Sequence, residues 1–123
     1  MIKNSNESEK IVDMFVQAYK NYDATLVIPY LSDDFHYASQ WVLSEITSKT
    51  EYITYLTTKL ATIKKSIEAG SSTLSIELVH DRLSGNPYML LSQGDSQALM
   101  VFKIQNNLIL RADLCMTCLY QFS

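Results

Sequence analysis

The sequence predicts a single α+β domain over residues 1–123, with three N-terminal helices packed on a strongly curved antiparallel sheet. Apolar residues recur at three- and four-residue intervals before Gly70 and at every second position after it. The connections between the later segments are only a few residues long, which favours antiparallel neighbours. A chain of 123 residues can also bury a core without metal or disulfide staples. No internal repeat, low-complexity tract or linker marks a domain boundary.

The first helix is predicted over 7–22, where Ile11, Phe15, Ala18, Tyr19 and Tyr22 form one apolar stripe. The polar lead-in "SNESE" is expected to place acidic residues in its first turn, where they suit the helix dipole. Asp23 can cap a second, shorter helix through about Leu31, which Pro29 should kink or shorten. "SDDF" is expected to break that helix and open an extended run over 34–43. Ser48 and Glu51 then stand at capping-box spacing before a long helix with Ile53, Leu56, Leu60, Ile63 and Ile67 on one face. Gly70 marks its end. Four strands follow as a meander, 73–81, 86–93, 96–105 and 108–116, with "LSGN", "QGDS" and "QNN" as the turns.

Composition excludes several functions. A net charge of −3 and only two arginines, Arg82 and Arg111, argue against a nucleic-acid partner. Lys64 and Lys65 read as the solvated end of a helix. No apolar run reaches bilayer length and none of signal-peptide type opens the chain, so no membrane partner and a cytoplasmic location are expected. Cys115 and Cys118 form "CMTC" in a strand-like run, where residues three apart point to opposite faces. That geometry favours neither a disulfide nor a shared metal, and no metal or cofactor is expected.

The densest cluster of polar and aromatic groups is "YLSDDFHYASQWV", residues 30–42. Alternation separates Phe35, Tyr37, Ser39 and Trp41 from His36, Ala38, Gln40 and Val42. The first set suits a pocket wall, while the competing reading is a filled aromatic core with Met14, Met100 and Met116 in its gaps. Asp33 and Asp34 sit where aspartates end helices by bonding backbone groups. His36 lacks an obvious carboxylate partner and reads as exposed or interfacial. In the last two strands Ala98, Met100, Phe102, Ile104 and Leu108, Leu110, Ala112, Leu114, Met116 should face the helices. The opposite face keeps Leu99, Val101, Ile109, Arg111 and Asp113, more apolar than free exposure suggests, so a homodimer through that outer face is expected.

The order of elements, "FVQAYKNYDATLVIPYLSDDFHY" leading into a strand, and the capped "TSKTEYITYL" resemble the nuclear transport factor 2-like superfamily along essentially the whole chain. That superfamily includes SnoaL-like cyclases and ketosteroid isomerases. The small turn before its third helix usually carries glycine, where this chain has Lys49. The resemblance implies a cone of curved sheet closed by helices, a largely apolar internal pocket and often a homodimer. With it, the expected ligand-binding residues are Phe15, Tyr19, Phe35, Tyr37, Ser39, Trp41, Met100, Phe102 and Met116, with His80 at a possible rim. The three catalytic positions of a ketosteroid isomerase fall on Phe15, Ser39 and Met100, none of which can replace a tyrosine, a general base or a protonated acid. Arg111 and Asp113 have the chemistry of an epoxide-hydrolase site but lie on the outward parity. The leading expectation is a small-molecule-binding or accessory domain without a complete catalytic set. The alternatives are a SnoaL-like isomerase, cyclase or dehydratase, and an interaction module using the outer sheet face.

Overall fold

Helix α1 spans Ile2–Asn21 in the computed structural model, which describes residues 2–39, 44–71 and 73–116, with side chains from Glu7 to Cys115. The helix begins well before residue 7, so no acidic residue falls in its first turn, contrary to the expected dipole pairing. Its buried stripe contains Ile11, Phe15, Ala18 and Tyr19 as expected, widened by Val12 and Val16. The helix closes with Tyr22 in the left-handed region at φ 54°, while the Asp23 amide donates to the Ala18 carbonyl at 2.8 Å. A bulky residue rarely adopts that conformation, and here the burial of α1 holds it.

The expected second helix is instead two one-turn 3₁₀ helices, Ala24–Leu26 and Ile28–Tyr30. Asp23 does cap the first, accepting from the Thr25 amide at 3.0 Å. Pro29 lies in the first positions of the second, and the chain leaves directly into β1, Leu31–Ser39. "SDDF" therefore belongs to the strand rather than to a corner before it. Helix α2 runs Lys49–Glu68, with the Ser48 hydroxyl accepting from the Glu51 amide at 3.2 Å. Gly70, at φ 75°, ends it: the Ser71 amide donates to Ser66 and the Gly70 amide to Ile67, both at 3.0 Å. These two bonds satisfy carbonyls that the helix leaves unpaired.

Strands β2 (Ser75–His80), β3 (Pro87–Gln93), β4 (Ser96–Gln105) and β5 (Leu108–Met116) form the predicted antiparallel meander. Asn106 and Asn107 both take positive φ in the two-residue turn between β4 and β5, the conformation that suits the twist of a hairpin. The full sheet has the order β1-β5-β4-β3-β2, and β1 pairs with β5 in parallel, so the sheet is mixed rather than wholly antiparallel. The period of two is blind to strand direction, and no turn joins β1 to β5 to announce it.

Two irregularities re-aim side chains. Between Leu31 and His36 the pairing with β5 slips, and Asp33 and Asp34 both turn to solvent while Phe35 and Tyr37 stay inside. Between Lys103 and Ile104 the register against β5 also slips, so that Ile104 pairs with Ile109. Ile109 is consequently fully buried in the core and Leu108 is exposed, the reverse of the simple alternation that placed Ile109 on the outer face. The core lies between α1, α2 and the inner sheet face, centred on Phe15, Tyr19, Phe35, Tyr37, Tyr52 and Met100.

Replacing Ser48 with Ala removes the acceptor for the Glu51 amide and should lower stability by about 1 kcal/mol, measured by denaturant unfolding.

Candidate functional site

Tyrosines gather where α1, β1 and α2 meet. Tyr37 and Tyr52 lie 4.9 Å apart between ring centroids, Tyr37 and Tyr55 5.4 Å, and Phe35 and Tyr52 4.7 Å, all tilted. The hydroxyls of Tyr19, Tyr37 and Tyr52 are enclosed: that of Tyr37 stands in hydrogen-bond reach of Tyr55 and Ser39, and those of Tyr19 and Tyr52 have no partner among the described residues. Burial pushes all three hydroxyls far above the ordinary tyrosine value, and their mutual proximity pushes them further: Tyr55 acts on Tyr19, and Tyr19 acts on both Tyr37 and Tyr52. They stay protonated and present hydrogen-bond donors.

The energetics make this arrangement notable. Burying an aromatic ring contributes about 2–3 kcal/mol, while enclosing an unpaired hydroxyl costs about 1–3 kcal/mol. Phenylalanine would keep the first term and avoid the second. The hydroxyls of Tyr19 and Tyr52 at this cost are not accounted for by core stability.

Two recesses flank Leu74. The larger, about 560 Å³, lies between the C-terminal half of α2 and strands β3 to β5. Its apolar wall is Ile63, Leu74, Leu91, Ala98 and Leu114, and polar groups from Lys59, Thr62, Ser66, Gln93 and Gln97 complete it. The second, about 390 Å³, is bounded by Tyr19, Tyr22, Ile67, Leu74 and Ile76 among others. Both adjoin the tyrosine cluster: the second through Tyr19, the first through Lys59, whose ammonium sits 5.7 Å above the Tyr55 ring.

The structure places the sequence-predicted residues as follows. Phe15, Tyr19, Phe35, Tyr37 and Met100 are fully enclosed in the core. Phe15 packs on Phe102 at 4.9 Å, and Met100 pairs with Met89 and Leu114 across the strands. Ser39 is half-buried and partnered. Of this set Tyr19 borders the smaller recess and none borders the larger. Trp41 and the side chain of Met116 lie outside the described residues, as does Cys118, while Cys115 is exposed on the sheet. His80 is exposed at the end of β2 and bonds Glu9 of α1 at 2.9 Å, away from both recesses. Tyr52 and Tyr55 were missed because tyrosine was not counted on the apolar stripe of α2. The signal was there, since Tyr52, Leu56 and Leu60 repeat at four-residue spacing and are all buried.

On the outer sheet face, His36 does have a carboxylate partner, contrary to expectation. Its Nδ1 lies 2.8 Å from Glu45 Oε2. Arg111 donates to both oxygens of Glu45, at 2.8 and 3.2 Å, and to both oxygens of Asp113. The guanidinium first, then the histidine, hold the Glu45 carboxyl below the usual carboxylate range. The Arg111–Asp113 pair therefore acts as an anchor that ties the segment at Glu45 to β5, on the face opposite the core.

Comparison with known proteins identifies the fold. No protein-family model and no curated protein matches the chain by sequence. Among solved structures, a SnoaL-like protein of unknown function from Burkholderia thailandensis superposes with a TM-score of 0.69 at 13% identity, covering 91% of this chain and 95% of that one. An NTF2-like protein of unknown function from Cytophaga hutchinsonii gives 0.62 at 10% identity, with 94% and 95% covered. An LEH-like epoxide hydrolase from M. tuberculosis gives 0.59 at 18% identity, with 97% and 89% covered. At these identities the likeness concerns the fold.

A prediction for the tyrosine cluster concerns alkali. Their folded pKa values are raised, so below the ordinary value near 10 both folded and unfolded forms are protonated and the stability is intact. As pH rises past about 10 the unfolded chain ionises first, and stability falls. Absorbance titration at alkaline pH should show the exposed tyrosines ionising smoothly and the enclosed ones only together with loss of tertiary structure. Smooth ionisation of all tyrosines in the folded state would contradict the enclosure.

Proposed function

We propose that this chain, which has the nuclear transport factor 2-like fold, binds a small, mostly apolar molecule in the recess between α2 and the sheet. The observation that carries this reading is the recess itself: about 560 Å³, with an aliphatic wall and a few polar side chains. Ligand sites of this kind span roughly 300–1,000 Å³ and combine apolar walls with a few polar groups that set orientation. Binding without turnover is favoured over an isomerase, cyclase or dehydratase because the described residues bordering the recess include no aspartate, glutamate, histidine or cysteine to move a proton.

The test is titration with an anilinonaphthalene fluorophore. The wild-type chain should bind it saturably, and Ala98→Trp, which fills the recess, should weaken binding by about tenfold or more while leaving the melting temperature within a few degrees. Unchanged binding in a folded Ala98→Trp chain would remove the recess from the function.

A second reading, compatible with the first, is a homodimer through the outer sheet face. Leu90 and Leu99 pair on that face, Val101 is 39% exposed beside them, and the Arg111–Asp113–Glu45 cluster borders the strip. The expected dimer face keeps Leu99, Val101, Arg111 and Asp113 and loses Ile109 to the core. Sedimentation velocity should show a dimer for the wild type and a monomer for Val101→Glu. A wild-type chain that is monomeric at high concentration would end this reading.

A further inference from the structure

We infer that Lys59 anchors the carboxylate of an otherwise apolar ligand seated in the recess between α2 and the sheet. The inference rests on the small-molecule reading above and specifies the ligand's charge. Among the described residues the half-buried cationic side chains are Lys49, Lys59 and Arg111. Lys49 lies 3.8 Å from Asp33, and Arg111 bonds both Glu45 and Asp113. Lys59 pairs with no carboxylate among the described residues, and its ammonium lies 5.7 Å from the centroid of the Tyr55 ring. Partial burial strips water from an ammonium, and a single ring face at that distance returns only part of what is lost. The charge of Lys59 thus calls for an anion from outside the described chain.

The surroundings select which anion. The described residues that border the recess include no aspartate or glutamate, and Lys59 carries their one formal charge. A ligand with a single negative charge is therefore matched by that wall, whereas a phosphate monoester, close to doubly charged at neutral pH, would be only half answered. An amine would be repelled, and a wholly neutral ligand would leave the ammonium as it is. Lys59, Thr62, Ile63 and Ser66 follow one another at helical spacing and all border the recess, so one face of α2 presents the cation beside an aliphatic side chain and hydroxyl donors. A carboxylate has two oxygens to divide between the ammonium and such a hydroxyl. The apolar body of the acid would lie against Leu74, Leu91 and Leu114, where exclusion of water strengthens the ion pair at its end.

Octanoate, 1-octanol and octylammonium share one chain and differ in headgroup, so they separate this inference from the reading beneath it. Each is titrated into the full chain and followed by protein NMR shifts. The wild type should bind octanoate about tenfold more tightly than 1-octanol. Lys59→Met, which keeps an unbranched stem and a good helix former, should lose that margin and leave 1-octanol binding unchanged. Lys59→Arg should retain it, and Lys59→Glu should reverse it by binding octylammonium more tightly than octanoate. All three variants should melt within a few degrees of the wild type, because none breaks an ion pair with a described residue. Octanoate binding that Ala98→Trp blocks but Lys59→Met and Lys59→Glu leave unchanged would mean that the ammonium is only hydrated, and would overturn the inference alone. Failure of both octanoate and 1-octanol to bind the wild type, or binding indifferent to Ala98→Trp, would overturn the small-molecule reading and the inference with it.

Discussion

The contact of β1 with α2 through aromatic rings is the interaction on which the rest of the structure depends. Phe35 and Tyr37 project from the strand onto Tyr52 and Tyr55 of the helix, with centroid separations from 4.7 to 5.4 Å. Ring packing at these distances joins a strand and a helix that are adjacent in sequence but need a fixed orientation. Once β1 is held there, its parallel pairing with β5 sets the far edge of the sheet, and the β2–β5 meander returns across the inner face to meet α1. The larger recess lies where α2 runs past the end of this aromatic seam and Ile63, with Lys59, Thr62 and Ser66 around it, borders the space toward the sheet.

That seam contains a conflict between levels. Most of the rest of the core is filled by apolar side chains, as with Phe15 on Phe102 and Met100 beside Met89. At Tyr19 and Tyr52 two polar atoms sit in the same interior without partners among the described residues. Sites at which local rules are broken at a cost in stability are where function is expected. Here the violation adjoins the recess that Tyr19 borders, which gives the cost a direction in space.

The outer face shows the opposite economy. Arg111 reaches two carboxylates at once, and His36 bonds one of them, so every charge in that group is answered. The residues involved are partly exposed, and the pairing is worth more as an orienting device than as stability. It fixes the segment at Glu45, which leads to the Ile46 backbone bridge with Tyr37 at 2.8 Å in both directions. The ionic cluster on one face thus supports the strand whose other face carries the tyrosines.

Periodicity, capping residues and turn chemistry are local properties, and by themselves they determined the α+β class, both long helices, the ends of β4 and β5, and the turns at Gly70 and Asn106–Asn107. They also identified Tyr19, Phe35 and Tyr37 as interior residues. Tertiary structure alone decided the parallel pairing of β1 with β5, because a two-residue repeat is the same in either direction. It decided the fates of Ile109, Asp33 and Asp34, because a bulge of one or more residues reverses alternation without any signature in composition. It also decided that Tyr19, Tyr37 and Tyr52 share one enclosed interior, since residues from α1, β1 and α2 become neighbours only when three separate elements pack together.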